Sequence, residues 1–220
     1  LGLGMLTGLN IGQESRGIVP STEWKRNYFS KQEDKIWYPG ETLSVIIGQG
    51  ATLTTPIQIA RSMATFVNGG KLLRPQVVHE IRGEQNQIIR QFDPDIVAET
   101  KLNKSAIKFI ENGLYQVVND KKGTGGRAKL TEFPEIKVAG KTGTAQVIGL
   151  DHTVKGEHFN DHAWFAAYAP ADKPKLVVAV LVENGGHGGA AAAPVAKAVF
   201  EAYFGSIAKH RKHVNRSKNI

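Results

Sequence analysis

Beyond Pro134 the chain changes character, and this change most constrains the fold. Three runs read as strands: Ile136 to Val147, Trp164 to Ala169 and Leu176 to Glu183. The third holds seven consecutive apolar residues, Leu176 to Val182, which fits a strand central in a sheet. Between the last two lies only Pro170-Ala171-Asp172-Lys173-Pro174, too short for a crossover helix, so an antiparallel hairpin is expected. A helix over Ala191 to Phe204 follows, with Val195, Val199 and Tyr203 on one stripe. An antiparallel sheet packed with helices is the expectation.

Upstream, residues 1–54 read as loops with short elements. Thr55, Pro56 and Gln58 then spell a capping box with proline at the first helical position. Ile59, Met63 and Val67 recur at helical spacing, and Asn68-Gly69-Gly70 ends the helix. Val77 to Ile81 and Gln87 to Phe92 predict two short strands. A second helix is expected over Lys104 to Asn119, burying Ile107, Ile110, Leu114 and Val117 or Val118. The run Lys121 to Gly126 is too rich in glycine for either regular element.

Composition narrows the function classes. The 220 residues contain no cysteine, which excludes disulfides and thiolate catalysis. No apolar run approaches the roughly 18–20 residues of a membrane span. Net charge is +8, and five of the excess cations fall in Lys209 to Ile220. A basic tail can meet nucleic acid or anionic lipid, but this one carries no aromatic residue and reads as a solvated, disordered end. The opening Leu1-Gly2-Leu3-Gly4 reads as the middle of a longer protein, truncated at its N-terminus.

The chemistry concentrates in Lys141-Thr142-Gly143-Thr144. On a strand, Thr142 and Thr144 share a face, and two hydroxyls on one face can hold both oxygens of a carboxylate. Lys141 points to the other face, yet its long stem can bring positive charge near the same place. Gly143 has no side chain, so another backbone can approach it. The Thr144 N–H could serve as an oxyanion donor. Gly140-Lys141-Thr142 also imitates the end of a phosphate-binding loop, but that loop needs a glycine where Glu135 stands.

Other motifs are weaker. Ser105-Ala106-Ile107-Lys108 spells the Ser-x-x-Lys of penicillin-recognising enzymes, but the apolar positions Ile107 and Ile110 leave both residues on the solvent side of their helix. Ser217-Lys218-Asn219 spells Ser-x-Asn within the basic tail. Asp151, His152, His158, Asp161 and His162 could suggest a metal, yet their surroundings read as a loop, and no metal site is expected. Gly185 to Gly189 is either a connector or the lining of a cleft.

Longer strings carry a resemblance. KVAGKTGTAQV at 137–147, DHAWFAAYAP at 161–170 and VLVENGGHGGAAAAPVA at 180–196 resemble the class B penicillin-binding proteins, most of all their cell-elongation branch. LGLGMLTGLNIG at 1–12 and LSVIIGQGATLTTPIQIARSMATFVNGG at 43–70 are similar to the same family. The resemblance implies an α+β, β-lactamase/transpeptidase-like domain, with 1–208 its C-terminal portion and 209–220 a tail. It implies a serine-type D,D-transpeptidase that cross-links peptidoglycan stem peptides ending in D-Ala-D-Ala and is acylated by β-lactams. Lys141, Thr142 and Gly143 match the family's Lys-Thr-Gly, with Thr144 beside it; Thr142 and Thr144 would bind the substrate carboxylate. By the family's motif order, the nucleophilic serine and its lysine lie before Leu1, which leaves this stretch inactive alone and Ser105 a decoy. The family also implies no cofactor, no nucleic-acid partner, association with the cell-elongation machinery, and a place on the periplasmic face of the inner membrane, held by an N-terminal anchor. A non-catalytic β-lactam-binding sensor domain is the alternative.

Overall fold

The computed structural model describes residues 1–147 and 160–217, with the backbone alone for 210–217. The chain divides into two compact units, Leu1–Leu102 and Asn103–Ile220. The boundary falls inside the 1–208 stretch expected as one portion.

The first unit contains α1 (Thr22–Tyr28), α2 (Pro39–Ile46) and α3 (Pro56–Val67), then β1 (Lys71–Leu73), β2 (Glu80–Arg82), β3 (Ile88–Gln91) and β4 (Ile96–Glu99). The expected β2–β3 hairpin is present, and β1 pairs with β4 as well, a contact too short to leave a periodic signal. The capping box of α3 forms as the sequence predicts: Gln58 N donates to Thr55 Oγ1, and Thr55 N donates to Gln58 Oε1. Its fully buried residues, however, are Gln58, Arg61 and Thr65, not the apolar stripe Ile59, Met63 and Val67. The reason is the neighbours. Gln58 Nε2 donates to the carbonyls of Met5 and Arg16, and Arg61 Nε to that of Leu73 at the end of β1, so this face meets backbone carbonyls that need donors.

Glu14 organises the same loops. Its carboxylate accepts from Thr7 N at 2.8 Å, Thr7 Oγ1 at 2.6 Å, Gly8 N at 3.0 Å and Leu9 N at 2.9 Å. The Thr7 hydroxyl, then the backbone N–H groups, hold this carboxyl below its ordinary value of 4.5. A depressed folded value means that the stabilisation is complete above the ordinary value and disappears as pH falls through the lower one. Glu14→Gln is therefore expected to lower the protection of the Gly8 and Leu9 amides against exchange near neutral pH, relative to their intrinsic rates, and acid should lower that protection in the unmodified chain. Unchanged protection in both would contradict this role.

The second unit holds α4 (Lys104–Asn119), a 3-10 turn at Gly126–Ala128, β5 (Ala139–Ala145), β6 (His162–Ala169), β7 (Leu176–Val182) and α5 (Gly188–Ser217). The sheet is antiparallel, in the order β5-β6-β7. Among the described residues the central strand is thus β6, and the more apolar β7 lies at an edge, with Val178 and Val180 turned into the core. β6 buries Ala163, Phe165, Ala167 and Ala169.

Helix α5 meets this sheet through Ala192, Ala193, Ala196, Phe200 and Phe204, all buried. That stripe is rotated by one residue from the expected Val195, Val199 and Tyr203, and Val195 and Val199 are more than 40% exposed. Alanines on the helix facing alanines on β6 allow a closer approach than valines would. On α4, Val118 is fully buried but Ile110, expected in the stripe, is 47% exposed. α5 also continues to Ser217, through most of the segment expected to be disordered; no glycine or proline after Gly205 stops it.

Candidate functional site

Lys141 to Thr144 lie on β5, at the margin of the sheet. Thr142 pairs with Phe165 of β6, Gly143 with Trp164 and Thr144 with Ala163. Among the described residues, no strand pairs with the outer edge of β5. The strand enters buried, at Ala139 and Gly140, and becomes partly exposed from Lys141 onward. The core therefore fixes one end and presents the other.

Thr142 and Thr144 open together into a cleft of about 550 Å³, as strand alternation predicts. Its other walls come from two glycine-rich connections. One supplies Gly123, Thr124, Gly126 and Arg127; the other supplies His187 and the first turn of α5. Of the run Gly185 to Gly189, His187, Gly188 and Gly189 line the cleft, while Gly185 and Gly186 belong to the connection from β7.

Local geometry explains how these loops arrive. At the end of α4 the chain folds back: Lys122 N donates to Asp120 Oδ1 at 2.7 Å, and Gly125 N to Val117 O at 2.8 Å. That turn carries Thr124 to β5, where its hydroxyl lies 2.8 Å from that of Thr142. Arg127 Nη1 donates to Ala190 O at 3.2 Å, tying the same loop to the start of α5. Helix α5 begins against bare backbone. A Cβ on Gly188 would stand 2.1 Å from Trp164 O and 2.6 Å from Gly143 O, and one on Gly189 would stand 2.1 Å from Thr124 O. The close approach expected at Gly143 is thus made by the chain's own helix.

The positive end of a helix, a guanidinium and threonine hydroxyls in one cleft suit an anion. Lys141 does not line the cleft; its Nζ donates to Thr142 O at 2.8 Å. Thr124 and Arg127 escaped the sequence reading, and His187 entered it only as part of a possible cleft lining. Their only signal was the pair of glycine runs, which mark close approach without naming what approaches.

Among the described residues, the remaining motifs do not join this site. Ser105 is exposed at the start of α4, and its Oγ donates to Asn103 Oδ1, the cap of that helix, at 2.6 Å. A further Ser-x-x-Lys, Ser206 to Lys209, lies on α5, where Ser206 Oγ donates to Tyr203 O at 2.9 Å. Of the histidine–aspartate group, Asp151, His152 and His158 lie outside the described residues. His162 Nδ1 accepts from Asn184 N at 2.9 Å, which gives it a structural partner. Lys218 and Asn219 of the Ser-x-Asn string also lie outside the described residues.

Comparison with known proteins places this geometry. Residues 1–201 match the family described as the penicillin-binding protein transpeptidase domain. The peptidoglycan D,D-transpeptidase MrdA of Haemophilus influenzae is 36% identical over 231 residues, covering all of this chain and 34% of that protein. The chain spans about a third of the length of the curated relatives it matches. A crystal structure of Pseudomonas aeruginosa PBP2, in complex with WCK 5153, superimposes with a TM-score of 0.72 at 36% identity, covering 92% of this chain and 41% of that one. Helicobacter pylori PBP2, in its complex with MreC, gives 0.68 at 28% identity, covering 92% and 34%. The fold is accordingly α+β and transpeptidase-like, and the chain belongs to the penicillin-binding protein transpeptidase family.

Proposed function

We propose that this chain forms the carboxylate-gripping wall of a peptidoglycan D,D-transpeptidase. The observation that carries the reading is the placement of Thr142 and Thr144 on one face of a sheet margin, in one cleft with Arg127 and the start of α5. A stem peptide would lie along the outer edge of β5 as an added strand. Its terminal D-alanine carboxylate would accept from the Thr142 and Thr144 hydroxyls, in the positive field of Arg127 and the α5 N-terminus. Residues two apart present their backbone groups to the same edge, so Thr144 N–H points with the Thr142 carbonyl that Lys141 reaches. An N–H there suits the oxyanion of the reaction.

The chemistry is a double displacement. A serine oxygen attacks the penultimate D-alanine carbonyl; the C–N bond breaks, and terminal D-alanine leaves as an amine carrying a proton. An amine of a neighbouring stem then attacks the ester, forms the cross-link and returns the serine hydroxyl. The family's motif order puts that serine and its lysine in sequence preceding these residues. β-Lactams would use the same grip and acylate the same serine. The scheme enlists neither metal nor organic cofactor.

The relatives' names favour this over a non-catalytic sensor, since they read D,D-transpeptidase. The H. pylori complex with MreC supports a partner in the elongation machinery. The family's work on peptidoglycan supports a site on the periplasmic face of the inner membrane. The anchor would lie elsewhere in the protein, as no helix among the described residues is long and apolar enough to cross.

A fluorescent penicillin is expected to label the full-length protein carrying these residues, and Ser105→Ala to leave that label unchanged. Loss of label in Ser105→Ala, with the protein still folded, would overturn the assignment of the nucleophile.

A further inference from the structure

We infer that Thr124 is a positioning residue for carboxylate binding, and that it acts through Thr142. This rests on the reading of Thr142 as a carboxylate donor. The two hydroxyl oxygens lie 2.8 Å apart, and either can be the donor when the cleft is empty. A ligand removes that freedom. A threonine hydroxyl carries one hydrogen and a carboxylate carries none, so Thr142 can serve the ligand only by aiming its hydrogen at it. The bond between the threonines must then run from Thr124 to Thr142. Thr124 thus completes a one-way chain: its hydrogen occupies a lone pair of Thr142 Oγ1, fixes that side chain and polarises its O–H toward the anion.

The loop is built for such a role. Gly125 N is bound to Val117 O at 2.8 Å, Gly189 abuts the Thr124 carbonyl, and Arg127 is tied to Ala190. Thr124 is therefore held from the helix behind it and from the helix in front. Its distance from Thr142 follows from the fold rather than from a surface side chain's preference.

The test uses the full-length protein and two ligands, benzylpenicillin and its uncharged methyl ester. Thr124→Val keeps the shape and removes the hydroxyl. One neutral hydrogen bond predicts about a fivefold rise in the concentration of benzylpenicillin needed for half-maximal acylation, with the maximal rate unchanged. Acylation by the ester should not change, and Thr124→Ser should restore the original value. Thr124→Val combined with Thr142→Val should cost little more than Thr142→Val alone, as both act on one bond. If Thr124→Val does not fold, Thr124→Ala carries the same readout. An equal loss with both ligands would assign Thr124 a structural role and overturn the inference. So would a Thr124→Val protein that matches the original while Thr142→Val is impaired. A silent Thr142→Val would instead remove the carboxylate reading itself, and the inference with it.

Discussion

Thr142→Val in the full-length protein is expected to slow acylation by penicillin about 10- to 150-fold. The figure follows from one charge-assisted hydrogen bond, worth roughly 1.5–3 kcal/mol, with about 1.4 kcal/mol per tenfold in rate. Valine keeps the β-branched shape that suits a strand, so β5 and its pairing with Phe165 should persist. The loss should therefore appear in acylation and not in thermal stability. Thr144→Val belongs to the same test, because both hydroxyls open into one cleft. If the two substitutions removed donors from one carboxylate, their effects should interact rather than add. Unchanged acylation in Thr142→Val would count against the grip.

Gly188→Ala is expected to harm both stability and acylation, and here two effects compete with opposite sign. Helix propensity favours alanine over glycine by about 1 kcal/mol within a helix. Against this, the new Cβ would stand 2.1 Å from Trp164 O and 2.6 Å from Gly143 O. Both obstacles are sheet backbone, which cannot rotate away as a side chain can. Overpacking of this kind costs typically 1–3 kcal/mol, so the clash should win. The start of α5 would have to withdraw from β5, taking its positive end and the Ala190 carbonyl that holds Arg127. Denaturant unfolding and penicillin acylation should both report the change. A more stable protein with normal acylation would show that α5 does not begin against the strand.

What the sequence revealed about the site, and what it hid, divides along a physical line. The shared face of Thr142 and Thr144 was legible because strand alternation is local and needs no knowledge of neighbours. The same holds for the capping box at Thr55 and Gln58. The solvent exposure of Ser105 was legible too, although Ile110, used to argue it, is itself half-exposed. Thr124 and Arg127 were hidden because docking of loops brings them to the cleft. Nothing in Lys121 to Gly126 alone says that it folds back onto β5. The stripe of α5 was misread for a related reason. Periodicity weights the largest apolar residues, whereas a helix lying close to an alanine-lined strand selects small ones. On α3 the pattern failed outright, since the carbonyls of Met5, Arg16 and Leu73 drew Gln58 and Arg61 inward, and Thr65 donates back to Arg61 O within the helix, ahead of isoleucine and methionine.

The central claim is that the negative end of the ligand is held by the threonine pair of β5. A crystal structure of the full-length protein acylated by benzylpenicillin measures this directly. The penicillin carboxylate oxygens are expected at hydrogen-bond distance, about 2.5–3.0 Å, from Thr142 Oγ1 and Thr144 Oγ1. A carboxylate turned to solvent, or bound by residues away from β5, would contradict it.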